Sequence, residues 1–256
     1  MSDVVQYEVL DRTAVITINR PEARNAVNGD VAQGIEAAVD RLEADDDVWV
    51  GVLAGTGPVF CAGADLKAIA RGEGATLMTE RGGFAGFTRR ERTKPVIAAI
   101  DGPALAGGTE ITAACDLVVA STTATFGIPE VKRSLVAAAG GLFRLPRALP
   151  ANIAMELALT GDPITAERAA HFGFVNELVE PGGARAAALA LAERIAVNAP
   201  IAVRQARRVV LAAQDRHDDE LWSITFEAQA VAVATEDFNE GPLAFIEKRA
   251  PRWTGR

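Results

Sequence analysis

The chain is 256 residues long, 49% hydrophobic and 23% charged, which is enough apolar content to bury a core and argues against wholesale disorder. Its net charge of −8 speaks against a general nucleic-acid binder, whose phosphate contacts need a basic surface. No apolar run approaches the ~18 residues of a membrane span, the start MSDVVQYEVLDR is unlike a signal peptide, and Cys61 and Cys115 make no disulfide framework, so the expected setting is a reducing cytoplasm.

In chain order, Val4–Leu10 and Thr13–Asn19 alternate about the turn Asp11-Arg12 and predict paired strands. Asp30 is placed to cap a helix whose apolar stripe is Val31, Ile35, Val39 and Leu42. Trp49–Ala54, Val96–Ile100 and Asp116–Ala120 are continuous apolar runs, as expected of buried strands. Ala104–Cys115, small and apolar, predicts a buried helix. From about Ala184 the texture becomes helical, over Ala186–Val197, Ile201–Gln214, Glu220–Ala234 and Gly241–Lys248. Alternating strands and helices followed by a helical tail predict an α/β fold with crossover connections.

Common chemistries are missing. His171 and His217 form no HExxH, and there is no CxxC, GxSxG or GxxxxGK[ST]. No metal site is therefore expected, and chemistry must come from carboxylates, backbone donors and substrate. Three segments, each after a predicted strand, stand out: Phe60–Lys67, Asp101–Glu110 and Phe126–Glu130. Gly107-Gly108 at a strand-to-helix junction leaves amide N–H groups bare, suited to a developing negative charge. Ala64 could offer a second such N–H, completing an oxyanion hole. Glu110 falls in the first turn after Gly107, and Glu130 arrives from a different strand end. Two carboxylates flanking one polarised carbonyl can divide acid and base work. Each part has a plainer reading: glycines for helix packing, a dipole-favoured glutamate, a turn glutamate after Pro129, and Asp65 as a cap. Order and spacing together outweigh these readings.

The chain resembles the enoyl-CoA hydratase/isomerase, or crotonase, family over nearly its whole length. The residues that carry the resemblance are Asn19–Ala26, Ala62–Lys67, Gly107–Glu110, Ile128–Glu130 and Glu240–Arg249. The resemblance implies a spiral of ββα units over residues 1–190 and a helical C-terminal region, residues 191–256, that builds trimers, two of which stack as a hexamer. It implies an acyl-CoA substrate, with the Ala64 and Gly107 amides on the thioester oxygen. Glu110 would activate water and Glu130 would exchange a proton at the α-carbon, with no metal or redox cofactor. It assigns CoA and substrate contacts to Arg24, Ala26, Ala62, Asp65, Leu66 and Lys67, and to Phe245 and Lys248, in some members across a subunit boundary. Local cations must gather at the CoA mouth of this acidic protein.

Possession of both glutamates favours a hydratase. The stretch Ala137–Phe143 lacks the proline and Thr-Gln pair of many straight-chain hydratases. Together with Pro129–Arg133 and Arg144-Leu145-Pro146 it is also similar to the carnitinyl-CoA dehydratase branch. Carnitinyl-CoA dehydration, another acyl-CoA lyase or isomerase reaction, and an idle CoA-binding scaffold stand as alternatives. Residues 68–92 are expected to shape the acyl pocket, with Phe84 and Phe87 in the core.

Overall fold

The computed structural model describes residues 4–256. Residues 1–3, part of the start read against a signal peptide, lie outside the described residues. Strands β1 (Val5–Leu10) and β2 (Thr13–Ile18) form the expected hairpin, but only β1 has a wet face. β2 is buried along its whole length because it also pairs, in parallel, with β3 (Val50–Gly55). Helix α1 (Gly29–Ala44) buries Val31, Ile35, Val39 and Leu42 as its spacing predicts. Its cap is Asn28 rather than Asp30: the Asn28 Oδ1 accepts from Val31 N at 3.0 Å. Asn28 has the extended backbone that a cap requires, whereas Asp30 is already inside the first turn.

After β3 come the short α2 (Leu66–Ala70), the hairpin β4 (Met78–Thr79) and β5 (Gly83–Phe84), and β6 (Val96–Ile100). Ala104–Cys115 is not one helix. Ala104–Leu105 is a strand, β7, and α3 runs only over Gly107–Ala113. The break falls at Ala106, whose φ of 53° does not fit a helix. Then follow β8 (Leu117–Ser121), β9 (Thr125–Gly127), a 3₁₀ turn at Pro129–Arg133, α4 (Gly141–Ala148), α5 (Ala151–Thr160), β10 (Ile164–Thr165), α6 (Ala166–His171) and β11 (Glu177–Val179). The C-terminal helices are α7 (Ala184–Ala196), α8 (Pro200–Ala212), α9 (Asp218–Val233) and α10 (Asp237–Glu247).

The main sheet has the order β1-β2-β3-β6-β8-β11, parallel except for β1. A smaller sheet, β10-β9-β7, lies beside it. Successive units β6-β7-α3 and β8-β9-turn each give one strand to the large sheet and one to the small. This is the repeated ββα spiral. One face of the main sheet packs with α1 and the small sheet around Ile16, Leu53, Phe60, Ala98 and Phe126. The other face, with Val52, Ile97 and Val119, is covered by α7, whose Ala184, Ala188 and Ala192 recur at helical spacing and allow a close approach. That helix runs across residue 190, and its packing belongs to the sheet. No single helix among the described residues is long and apolar enough to cross a membrane.

Candidate active site

The spiral itself assembles the site. Cys61 forms an isolated parallel bridge with Ala104, and Ala104 pairs in parallel with Phe126. Three residues beyond each partner lie Ala64, Gly107 and Pro129. Positions far apart in sequence thus occupy equivalent places on adjacent turns of the spiral, and the three motifs meet where each turn leaves the small sheet.

Two glycines permit the close approach. Gly63 has φ +91°, and a Cβ there would lie 2.7 Å from the Ala106 Cβ and 3.0 Å from Gly107 N. A Cβ on Gly107 would meet the Phe84 ring at 2.3 Å. Phe84 is core, as expected, but it also covers the start of α3. Ala106 holds φ 53°, ψ −126°, a conformation that costs an alanine roughly 1–3 kcal/mol. It is held there by its N–H on the Gly127 carbonyl at 2.8 Å and by its own carbonyl, which accepts from Thr109 N and Glu110 N. Among the described residues the amides of Ala64 and Gly107 donate to no protein acceptor. The Ala64 loop is pinned from below: Val27 N donates to the Gly63 carbonyl and Asp65 N to the Val27 carbonyl, each at 2.8 Å.

Glu110 is buried, with 3% of its surface exposed. One oxygen, Oε1, accepts from the amides of Ala139 at 2.7 Å and Gly141 at 2.9 Å. Burial raises the pKa of this carboxyl, and the two amides and the Arg144 cation only partly offset it. Glu130, at the start of the 3₁₀ turn, is half-buried, and its Oε2 is shielded with no hydrogen-bond partner. Its pKa is also raised, first by burial and then by the charge of Glu110, against its own backbone N–H and Arg133. A Cβ at Gly141 would touch Glu110 Cγ at 3.1 Å and Ile128 at 3.4 Å, so the Glu130 strand end lies beside the Glu110 carboxyl.

The remaining sequence-chosen residues are spread wider. Arg24, Leu66 and Lys67 are exposed at the rim of the Ala64 loop. Ala62 N donates to the Arg24 carbonyl at 3.1 Å, and the Ala26 carbonyl accepts from Arg20 Nη1 at 2.6 Å. The Asp65 side chain is committed elsewhere: it caps α2 through Lys67 N and Ala68 N and pairs with Arg20 at 3.2 Å. Burial pushes its pKa up, but those amides and Arg20 outweigh it and hold the carboxyl below its ordinary value. Phe245 and Lys248 sit at the far end of the chain. Phe245 is 85% exposed on α10, which packs chiefly on α9.

Sequence reasoning missed the partners of Glu110. The Ala139 and Gly141 amides carry no side-chain signature, although the Gly140-Gly141 pair, with φ +110° at Gly140, was the available signal. It also missed Asn25, a buried side chain that bonds Thr56 O, Val59 O and Arg20 N to hold the neighbouring loops together. Both cysteines are desolvated, with thiols pushed up to about 12, so neither is poised as a nucleophile. Among the described residues no three His, Cys, Asp or Glu side chains gather as a metal set. An open volume of about 1480 Å³ is walled by neither Glu110 nor Glu130. It lies between the core and α8, walled by Arg89, Arg92, Thr112, Arg144 and Arg207 among others.

A sequence profile of the enoyl-CoA hydratase/isomerase family matches residues 10–256. The chain belongs to this family. The crystal structure of an enoyl-CoA hydratase from Mycobacterium tuberculosis H37Rv is 49% identical with a TM-score of 0.96, over 100% of both chains. The enoyl-CoA hydratase EchA19 of M. tuberculosis is 39% identical over 251 residues, 95% of this chain and 94% of that one. The carnitinyl-CoA dehydratase of Proteus mirabilis is 36% identical over 247 residues, 94% of each. This crotonase-family chain therefore has the spiral fold its motifs imply and lies near the carnitinyl-CoA dehydratase branch.

Proposed function

We propose that this crotonase-family chain is a hydro-lyase that adds water reversibly to 2-enoyl-CoA thioesters. One observation carries the reading. Two unengaged amides, of Ala64 and Gly107, stand beside a pair of carboxyls, one buried and held by two amides, the other half-buried with a shielded oxygen unpartnered. The thioester oxygen accepts from both amides, which stabilise the enolate as charge develops there. Glu110, fixed through Oε1, takes a proton from water as it attacks the β-carbon. Glu130 delivers a proton to the α-carbon. The charge of Glu110 raises the Glu130 pKa, so the pair favours one proton, placed on Glu130 when Glu110 is ionised. Proton traffic of this kind calls for no metal or redox group. Arg24 and Lys67 at the rim supply positive charge toward the CoA phosphates.

The chain is also proposed to work as a trimer or a stacked pair of trimers. Trp222, Phe226, Phe245 and Ile246 are 60–85% exposed on α9 and α10, an apolar face unusual for a monomer. Packing it against a neighbour would bring Phe245 and Lys248 to another subunit's site.

The test is loss of the enoyl-thioester ultraviolet absorbance with crotonyl-CoA, longer 2-enoyl-CoAs and crotonobetainyl-CoA. Glu110→Gln and Glu130→Gln are expected to bind acyl-CoA and to lose hydration by at least about 100-fold. Full activity in either variant refutes the reading. Turnover of crotonobetainyl-CoA alone would assign the chain to the dehydratase branch.

A further inference from the structure

We propose that Arg144 is a positioning residue for Glu110, clamping the loop whose amides hold that carboxylate. The inference rests on the reading that Glu110 activates water. Arg144 belongs to the first turns of α4, immediately after the loop at 139–141. Its Nη1 donates to the Ala139 carbonyl at 3.2 Å, and its Nη2 to the Thr88 carbonyl at 2.6 Å. The amide of the same Ala139 donates to Glu110 Oε1 on the other side. One guanidinium thus ties the Glu110-binding loop to the buried end of the segment at 84–88.

Two details make the clamp specific. A Cβ at Gly140 would lie 2.0 Å from Arg144 Nη1, so the guanidinium rests directly on the loop. The Phe143 ring stacks against it, with Cζ 5.1 Å from the centroid. A lysine is a point charge on a flexible stem and cannot bridge two carbonyls in the same plane. The charged and titratable neighbours are Glu110 toward the site, and Arg92, Arg147 and Cys115 on the other sides. Glu130 faces Glu110 in turn. Burial and the two arginines lower the pKa of Arg144, while Glu110 opposes them. A guanidinium nevertheless stays charged. Its positive charge helps keep Glu110 ionised.

The experiment compares Arg144→Met and Arg144→Lys with the parent, using Glu110→Gln as reference. It measures kcat and KM across pH on the best 2-enoyl-CoA, together with acyl-CoA binding and melting. For Arg144→Met, kcat is expected to fall about 10- to 100-fold, with KM within about threefold. The low-pH limb of kcat/KM should move up by about half a unit or more, because a cation favouring the ionised base is gone. Arg144→Lys should keep the limb in place but not restore kcat. An unchanged kcat and limb in a folded Arg144→Met overturns the proposal. So does a loss of rate that only tracks lower melting, with the limb unmoved. If the methionine variant does not fold, a parent-like kcat in Arg144→Lys overturns it. A fully active Glu110→Gln would instead sink the underlying assignment of Glu110, and this proposal with it. An inactive Glu110→Gln beside a parent-like Arg144→Met defeats the positioning role alone.

Discussion

Glu110 and Glu130 are the same residue type in two different environments. Glu110 spends one oxygen on two amides and is ordered by them. Glu130 has a buried oxygen with nothing to accept from, so its own backbone N–H and Arg133 offset only part of the desolvation cost of its charged form. That cost has a pH signature. A carboxyl whose pKa is raised by folding contributes stability that is complete below the ordinary value of 4.5 and is lost as pH rises through the folded value. Removing the charge should therefore help most at neutral pH. Glu130→Gln is expected to melt above the parent at pH 7, with the gap narrowing toward pH 4. Melting curves at the two pH values decide it, and a gap independent of pH would contradict it. At the same scale, Ala106 shows local strain placed where the reactive amide follows it. The three hydrogen bonds around that peptide keep an alanine where glycine is the easier choice.

Among elements, α2 matters more than its five residues suggest. Its cap, Asp65, follows the Ala64 amide directly, and the Arg20–Asp65 pair joins it to the Ala26 backbone. Truncating the cap leaves the largely buried Arg20 without its carboxylate and α2 without its first-turn acceptor. Asp65→Ala is expected to cost about 2 kcal/mol of stability and to lower kcat more than acyl-CoA affinity, because the Ala64 N–H is displaced. Denaturant unfolding and steady-state kinetics test the two halves. A stable variant with parent kcat would mean that the cap does not position the amide. The long helices α1 and α7–α10 and the buried strands β3, β6 and β8 were legible because their patterns are periodic or continuous. Val31, Ile35, Val39 and Leu42 on α1 and the run Val96–Ile100 show this directly. The α1 cap and the break at Ala106 were not legible. Each depends on one residue's backbone angles, which neighbouring packing selects.

At the scale of the whole molecule, α8 is tied to the core by a small charge network. Asp116 accepts from Arg207 Nε at 2.8 Å and from the Val96 amide at 2.8 Å, and Arg207 Nη1 reaches the Arg92 carbonyl at 2.5 Å. Beyond this anchor α9 presents Trp222 and Phe226, stacked with centroids 5.8 Å apart and open to solvent. Covering that face in an assembly removes apolar surface from water, and a charge placed on it opposes association. Trp222→Glu with Phe226→Glu is expected to reduce the solution mass to that of a single chain, read by light scattering. An unchanged mass would contradict the proposal that this face holds an assembly together.

The sequence alone determined the α/β class, the long helices, the buried parallel strands and the short list of chemistry-bearing residues. It could do so because burial and periodicity are written locally, and because Gly107-Gly108, Glu110 and Glu130 keep a recognisable spacing. The tertiary structure decided how these residues meet. The parallel register that links Cys61, Ala104 and Phe126 stacks three chain turns, and no local pattern encodes which turn lies on which. The altered stretch Ala137–Phe143 illustrates the difference. Its side chains depart from the family pattern, yet what it offers Glu110 is two backbone amides. Those amides are present with any residue but proline there, and only the fold, with Arg144 across the loop, aims them at the carboxylate.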